Sequence, residues 1–119
     1  MLRRCLASIA AAAPPESLRV SVLVVENDEI PRSREVVDGF ADSLAIRHVL
    51  EPRPGIPAAR NRALEEALAE DPDWIAFVDD DEFVDPDWLR AYERAMADYP
   101  DAVLTGPRRR VYPADTPFW

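Results

Sequence analysis

An α/β fold built on a parallel sheet is predicted by three observations. Residues 74–78, Trp-Ile-Ala-Phe-Val, are apolar with good strand propensity and run straight into Asp79-Asp80-Asp81-Glu82. A second apolar run, residues 18–25, is short and β-branched and also stops at an acid, Glu26. Between and around these runs lie segments whose apolar residues recur at helical spacing. Strands that are apolar throughout are those buried on both faces of a parallel sheet, and ligands in open α/β sheets bind outside the strands' carboxyl ends. Two acidic strand ends therefore mark one side of the predicted sheet as the functional side.

In chain order, Leu2, Cys5, Leu6 and Ile9 form one face of a first helix, which Pro14-Pro15 ends. The segment looks only superficially like a secretory signal. Cys5 lies on the apolar face and reads as a small core residue, and a single cysteine cannot form an internal disulfide. After the strand ending at Glu26, Pro31 and Ser33 open a helix with the stripe Val36, Val37, Phe40 and Leu44. Residues 46–50 are interrupted by polar side chains and read as an edge strand. His48, the only histidine, is taken as a partly exposed strand residue in preference to a metal ligand. The loop 51–57 is stiffened by three prolines and leads into a helix whose buried side is predicted to be Ala59, Ala63, Leu64, Ala67 and Leu68.

Arg60 falls near the start of that helix, where the macrodipole favours an acid. The misfit points to function, against the plainer reading of a surface pair with Glu65 or Glu66. Beyond the acidic cluster, Asp85, Pro86 and Asp87 start a last helix, with Trp88, Tyr92, Ala95 and Tyr99 as its packing stripe. Residues 102–106 read as a further short strand. Arg108-Arg109-Arg110 suits either an anion contact or a solvated basic corner. Nothing divides the chain, so residues 1–119 are taken as one domain.

Composition narrows the function. A hydrophobic share of 48% supplies a core, and no apolar run is long enough to span a bilayer. The formal charge of -9 argues against nucleic-acid binding and requires any anionic ligand to meet a local cation or arginine. All 14 basic residues are arginines, which removes a Walker-type phosphate loop and Schiff-base chemistry. A receiver-like signalling domain, suggested by length and acidic strand ends, loses its expected lysine for the same reason. Four adjacent carboxylates repel one another, so residues 79–82 on their own suit either a metal site or a solvated acidic loop.

Three segments together resemble the donor-binding half of family 2 glycosyltransferases, which have the GT-A fold. Val24-Val25-Glu26-Asn27-Asp28 is similar to that family's strand ending in a nucleotide-contacting acid. Gly55-Ile56-Pro57-Ala58-Ala59-Arg60-Asn61 is similar to its Gly-x-x-x-Ala-Arg-Asn segment, and Phe77 to Glu82 contains its Asp-x-Asp motif. The resemblance implies a Rossmann-like three-layer domain and an inverting sugar transfer from a nucleoside diphosphate-sugar to an acceptor hydroxyl. It assigns Glu26, Asp28, Gly55, Arg60, Asn61, Asp79 and Asp80 to the donor, and Asp79 and Asp81 to Mg²⁺ or Mn²⁺, with Glu82 beside them. The acceptor is an unspecified glycan, lipid or other hydroxyl compound, and the expected location is cytoplasmic, with membrane association of a longer form the second expectation.

The same resemblance marks departures. The family begins with a strand that lies centrally, between those ending here at Glu26 and Asp79, and Met1 falls after it. The general base and the acceptor half are expected beyond Trp119, so residues 1–119 alone are expected to be inactive and to self-associate through unpaired strands. A non-catalytic nucleotide-binding or interaction module derived from this fold is the alternative.

Overall fold

A computed structural model describes residues 1–111 of the chain. Six elements follow one another: α1 (Leu2–Ala11), β1 (Val22–Glu26), α2 (Arg34–Asp38), β2 (Ile46–Leu50), α3 (Ile56–Leu68) and α4 (Trp88–Asp98). The architecture is mixed α/β, and β1 and β2 pair in parallel with Val22 opposite Ile46 and Glu26 opposite Leu50. β2 spans the expected 46–50, and β1 stops at its acid, Glu26, but begins at Val22, so residues 18–21 of the apolar run are not strand.

The apolar face of α1 forms the middle of the core. Cys5 and Leu6 are buried, together with Ala12, Val37 of α2 and Leu89 of α4. Ser8 joins α1 to the later half of the chain: its hydroxyl donates to the Cys5 carbonyl at 2.7 Å and accepts the Val84 amide at 3.0 Å. Arg4 adds a cation–π contact, 5.6 Å from the Phe83 ring centre. In α4, Trp88 and Tyr92 pack edge to face at 5.4 Å, in keeping with a packing stripe, although Tyr99 at its end is exposed.

Several expectations are corrected. The stripe of α2 is broken: the helix stops at Asp38, and turns continue through Phe40 and Ser43. Gly39 at that point carries the poorest helix propensity after proline. In α3, Ala59, Ala63 and Ala67 are half-buried, but Leu64 and Leu68 are 37% and 63% exposed. Packing α3 on β1 uses only the small-residue face, and each leucine sits about 100° further round the helix.

The largest correction concerns residues 74–78 and 102–106, neither of which forms a strand. Trp74 and Phe77 are 37% and 46% exposed, and Val103 is fully exposed. A strand exists only by pairing, and among the described residues the backbone of 74–78 makes no backbone hydrogen bond. Residues 74–78 instead border a cavity of about 490 Å³, whose other walls include Val22 and Leu23 of β1, Ile46 of β2 and Ala63 of α3. On β1, Val22 and Glu26 bond towards β2. The intervening Leu23 and Val25 direct their amides and carbonyls to the opposite edge, because successive residues of a strand alternate.

β2 is held by a side chain of its own. Arg47 reaches α3 and the turn after it, with Nη1 2.6 Å from Glu66, Nε 2.8 Å from Glu70 and Nη2 donating to the Glu66 carbonyl at 2.8 Å. The polar interruption that marks the strand as an edge is thus its anchor to the helix. The expected tail beyond residue 111 lies outside the described residues.

Leu6 is the largest fully buried side chain. Leu6→Ala is expected to cost about 2–5 kcal/mol by lost transfer energy and cavity formation. Urea unfolding measures it as a lowered midpoint with unchanged slope, and a loss under about 1 kcal/mol would place the core elsewhere.

Candidate functional site

The end of β1 and the start of α3 are brought together by Asn27. Its amide nitrogen donates to the carbonyls of Glu51 and Arg53 at 2.8 and 2.6 Å, and its oxygen accepts the Gly55 amide at 2.8 Å. Gly55 is the N-cap of α3 with φ 114° and ψ 146°, a backbone conformation that glycine alone adopts without strain. The clamp and this turn set where α3 begins. Pro57 lies in the first turn, where a missing N–H costs nothing.

Glu51, buried at 3% exposure, braces the same loop. It accepts the Arg53 amide and a two-pronged contact from the Arg53 guanidinium, with distances of 2.8–2.9 Å. The Arg53 guanidinium first, and then the Arg53 amide, hold the Glu51 carboxyl down at about 2.

From this start, α3 carries Arg60 towards the acidic segment. Arg60 Nη2 lies 3.4 Å from Asp79 Oδ1, both side chains being about half exposed, and its guanidinium carbon is 5.8 Å from the Phe77 ring centre. The pairing with Glu65 or Glu66 does not occur: Arg62 takes Glu66, at 2.7 Å. Asn61 is exposed, and among the described residues no hydrogen bond ties it to the acidic segment.

Residues 79–82 form a tight turn in which the Asp79 carbonyl accepts the Glu82 amide at 3.0 Å and Glu82 Oε2 accepts the Asp79 amide at 3.2 Å. Cys5 Sγ also contacts the Asp79 carbonyl at 3.7 Å, so α1 packs beneath the turn. Burial raises the Cys5 thiol, and the charges of Asp80, Glu82 and Asp81 raise it further. Arg108 Nε pairs with Glu82 at 3.1 Å. Asp80 and Asp81 are exposed, with no ion pair among the described residues. No three His, Cys, Asp or Glu side chains converge among the described residues. The donor set nevertheless fits a hard cation of the Mg²⁺ type, which commonly takes one or two carboxylates and completes its shell with phosphates and water.

Glu26 is engaged on both oxygens. Oε1 accepts the Ser33 amide and hydroxyl, each at 3.0 Å, and Oε2 lies 3.1 Å from the same amide and 2.9 Å from His48 Nε2. His48 as a residue is of intermediate exposure, as expected, but its side chain is only 4% exposed, against 11% for Glu26. Asp28 stands apart, in a local turn where it accepts the Glu29 and Ile30 amides and pairs with Arg32 at 2.8 Å. The Ile30 amide foremost lowers its carboxyl.

The structure thus joins Arg60 to Asp79 and Asn27 to Gly55, while Asp28 and Asn61 contact neither pair. Sequence reasoning missed the supporting roles of Asn27, Ser33, His48 and Glu51. Only Asn27 carries a local signal, as an asparagine one residue past a strand end.

The model of glycosyl transferase family 2 matches residues 1–119. The chain is also similar to the succinoglycan biosynthesis protein ExoM of Rhizobium meliloti (strain 1021), with 39% identity over 121 residues, covering 99% of this chain and 38% of that protein. The chain therefore spans less than two fifths of the length of this curated relative. No solved structure matches it.

The loop brace has a testable pH dependence. Glu51 is held below its ordinary 4.5, so its contribution is complete above that value and is lost as pH falls towards 2. Melting temperatures of the parent and Glu51→Gln are expected to differ at pH 6 and to converge across this window. A difference that stays constant down to about pH 2 would deny the charged contact with Arg53.

Proposed function

This chain belongs to glycosyl transferase family 2, and on that premise we propose that it forms the donor-binding part of a Rossmann-like GT-A enzyme. The enzyme transfers a sugar from a nucleoside diphosphate to an acceptor hydroxyl with inversion. The observation that carries this reading is the 3.4 Å approach of Arg60 to Asp79, two motif residues separated by 19 positions. An arginine and an acid side by side, with Asp80 and Asp81 exposed next to them, offer complementary groups to a pyrophosphate and its cation.

Asp79 and Asp81 would hold Mg²⁺ or Mn²⁺, which supplies positive charge against the diphosphate as it leaves. Arg60 donates hydrogen bonds to the diphosphate oxygens, its guanidinium already steadied by Phe77 and Asp79. The Glu26 carboxylate, at the same end of the sheet, accepts from the base or ribose. Gly55 lets the chain pass close to the donor without a side chain in the way. A base outside the described residues takes the proton of the acceptor hydroxyl, whose oxygen attacks the anomeric carbon from the face opposite the leaving diphosphate. The relative named for succinoglycan biosynthesis favours a glycan acceptor.

Calorimetry with nucleoside diphosphates and Mn²⁺ tests the assignment. Asp79→Ala and Asp81→Ala are expected to abolish the metal-dependent part of binding. Arg60→Gln is expected to weaken binding by about 1.5–3 kcal/mol, the loss of a charged hydrogen bond, with little change in melting temperature. Unchanged affinities in the aspartate variants would remove the metal site. Unchanged affinity beside a lowered melting temperature in Arg60→Gln would make that residue structural.

The unpaired edge of β1 and the exposed 74–78 segment give a second expectation: residues 1–119 alone self-associate and transfer no sugar. Solution mass and donor turnover check it, and a stable monomer that turns over donor would overturn it.

A further inference from the structure

We propose that His48 is a positioning residue for nucleotide recognition, holding the Glu26 carboxylate in the orientation that meets the donor. The inference rests on the donor-binding reading above and adds a residue that the motif segments do not contain.

The geometry comes from strand register. Val24 lies opposite His48, so His48 and Glu26 project from the same face of the parallel pair, one step apart along it. Oε2 of Glu26 lies 2.9 Å from His48 Nε2, a hydrogen bond that a carboxylate accepts when Nε2 bears the proton. Ser33 supplies the other contacts, through its amide to both oxygens and its hydroxyl to Oε1. Three donor groups thus make four contacts, two at each oxygen, and fix the plane of the carboxylate.

Glutamate has more rotamers than any strand-end acid needs, and freezing them on binding would weaken affinity. Here the freezing is completed on folding. Ser33 acts from the entry to α2 and His48 from β2, so the carboxylate is fixed between two elements. The burial of His48 at 4% keeps competing water from its ring nitrogen. A merely structural staple between β1 and β2 would need the same hydrogen bond but would not respond to a nucleotide.

The test uses the full 119-residue chain with uridine, guanosine and thymidine diphosphates, each with Mg²⁺. Binding is read by calorimetry for the parent, His48→Phe, His48→Gln and Glu26→Gln, alongside melting temperature. The ring signals of His48 are followed by NMR in the parent, and a sole histidine leaves no ambiguity of assignment. At least one diphosphate is expected to bind the parent and to move the ring signals. His48→Phe is expected to bind it about tenfold or more weakly, as for a lost charged hydrogen bond. His48→Gln, whose amide N–H reaches the same oxygen, is expected to return affinity to within about threefold of the parent. Glu26→Gln is expected to match the loss of His48→Phe. Parent-like affinity in His48→Phe, ring signals unmoved by a bound nucleotide, or no rescue by glutamine at equal melting temperature would overturn the positioning role while leaving the donor site standing. A parent that binds none of the three would overturn the donor-binding reading, and this role with it.

Discussion

Asn27 is the joint on which the candidate site depends. One side-chain amide satisfies two carbonyls of the 51–53 loop and caps the approach to α3 through the Gly55 amide. Those backbone groups belong to a proline-rich loop that cannot use them in a ladder, so the side chain supplies what secondary structure does not. Fixing Gly55 fixes the axis and phase of α3. At 1.5 Å and about 100° per residue, the phase of α3 decides where Arg60 points five residues later. The contact between Arg60 and Asp79 is therefore set at the far end of the loop, by a residue that touches neither of them.

The sequence reveals elements whose stability is local and hides those that depend on partners. The helical stripe of α1, the β-branched run of β1, the polar interruption of β2 and the proline entry to α3 are each visible in a window of a few residues. The strand character of 74–78 is visible in the same way, yet it is a property of pairing, and among the described residues its backbone joins no ladder. Leu64 and Leu68 fail for a related reason. Periodicity identifies an apolar side of a helix but not whether anything covers it. In the site, Arg60 is legible as a charge at the wrong end of a helix dipole, and Asp79 as an acid at the end of an apolar run. The bond between Glu26 and His48 is not, because it arises only when β1 and β2 meet in one particular register.

Membership of a glycosyl transferase family and a two-stranded sheet fit together once the cavity is considered. Leu23 and Val25 turn unpaired backbone groups to one side of it, and residues 74–78 present theirs without a ladder. An open edge of this kind leaves the carboxyl-end loops attached by side-chain bonds instead of by a continuous sheet. Cys5, Ser8 and Arg4 of α1 accordingly hold the segment 79–84 from beneath, through contacts with Asp79, Val84 and Phe83. The helix thereby fixes the height of the acidic turn, a role the sheet would otherwise perform.

Charge explains why that turn suits a ligand better than a purely structural role. Of its four carboxylates, Asp79 faces Arg60 and Glu82 faces Arg108, whereas Asp80 and Asp81 have no ion pair among the described residues. In water their repulsion is small, since exposed charges a few ångströms apart interact by only about 1 kcal/mol at high dielectric. A closing ligand would displace that water and strengthen the repulsion, so on the proposed donor-binding reading occupation of the site would call for positive charge in step with the anionic donor. A protein of net charge -9 would otherwise repel a diphosphate. On that reading Arg60 would answer part of the requirement from the protein's side, and the two unpaired aspartates would answer the rest by recruiting a cation. The excess of acid that disfavours an anionic ligand at a distance would thus, on the proposed reading, favour a metal-bound one at contact.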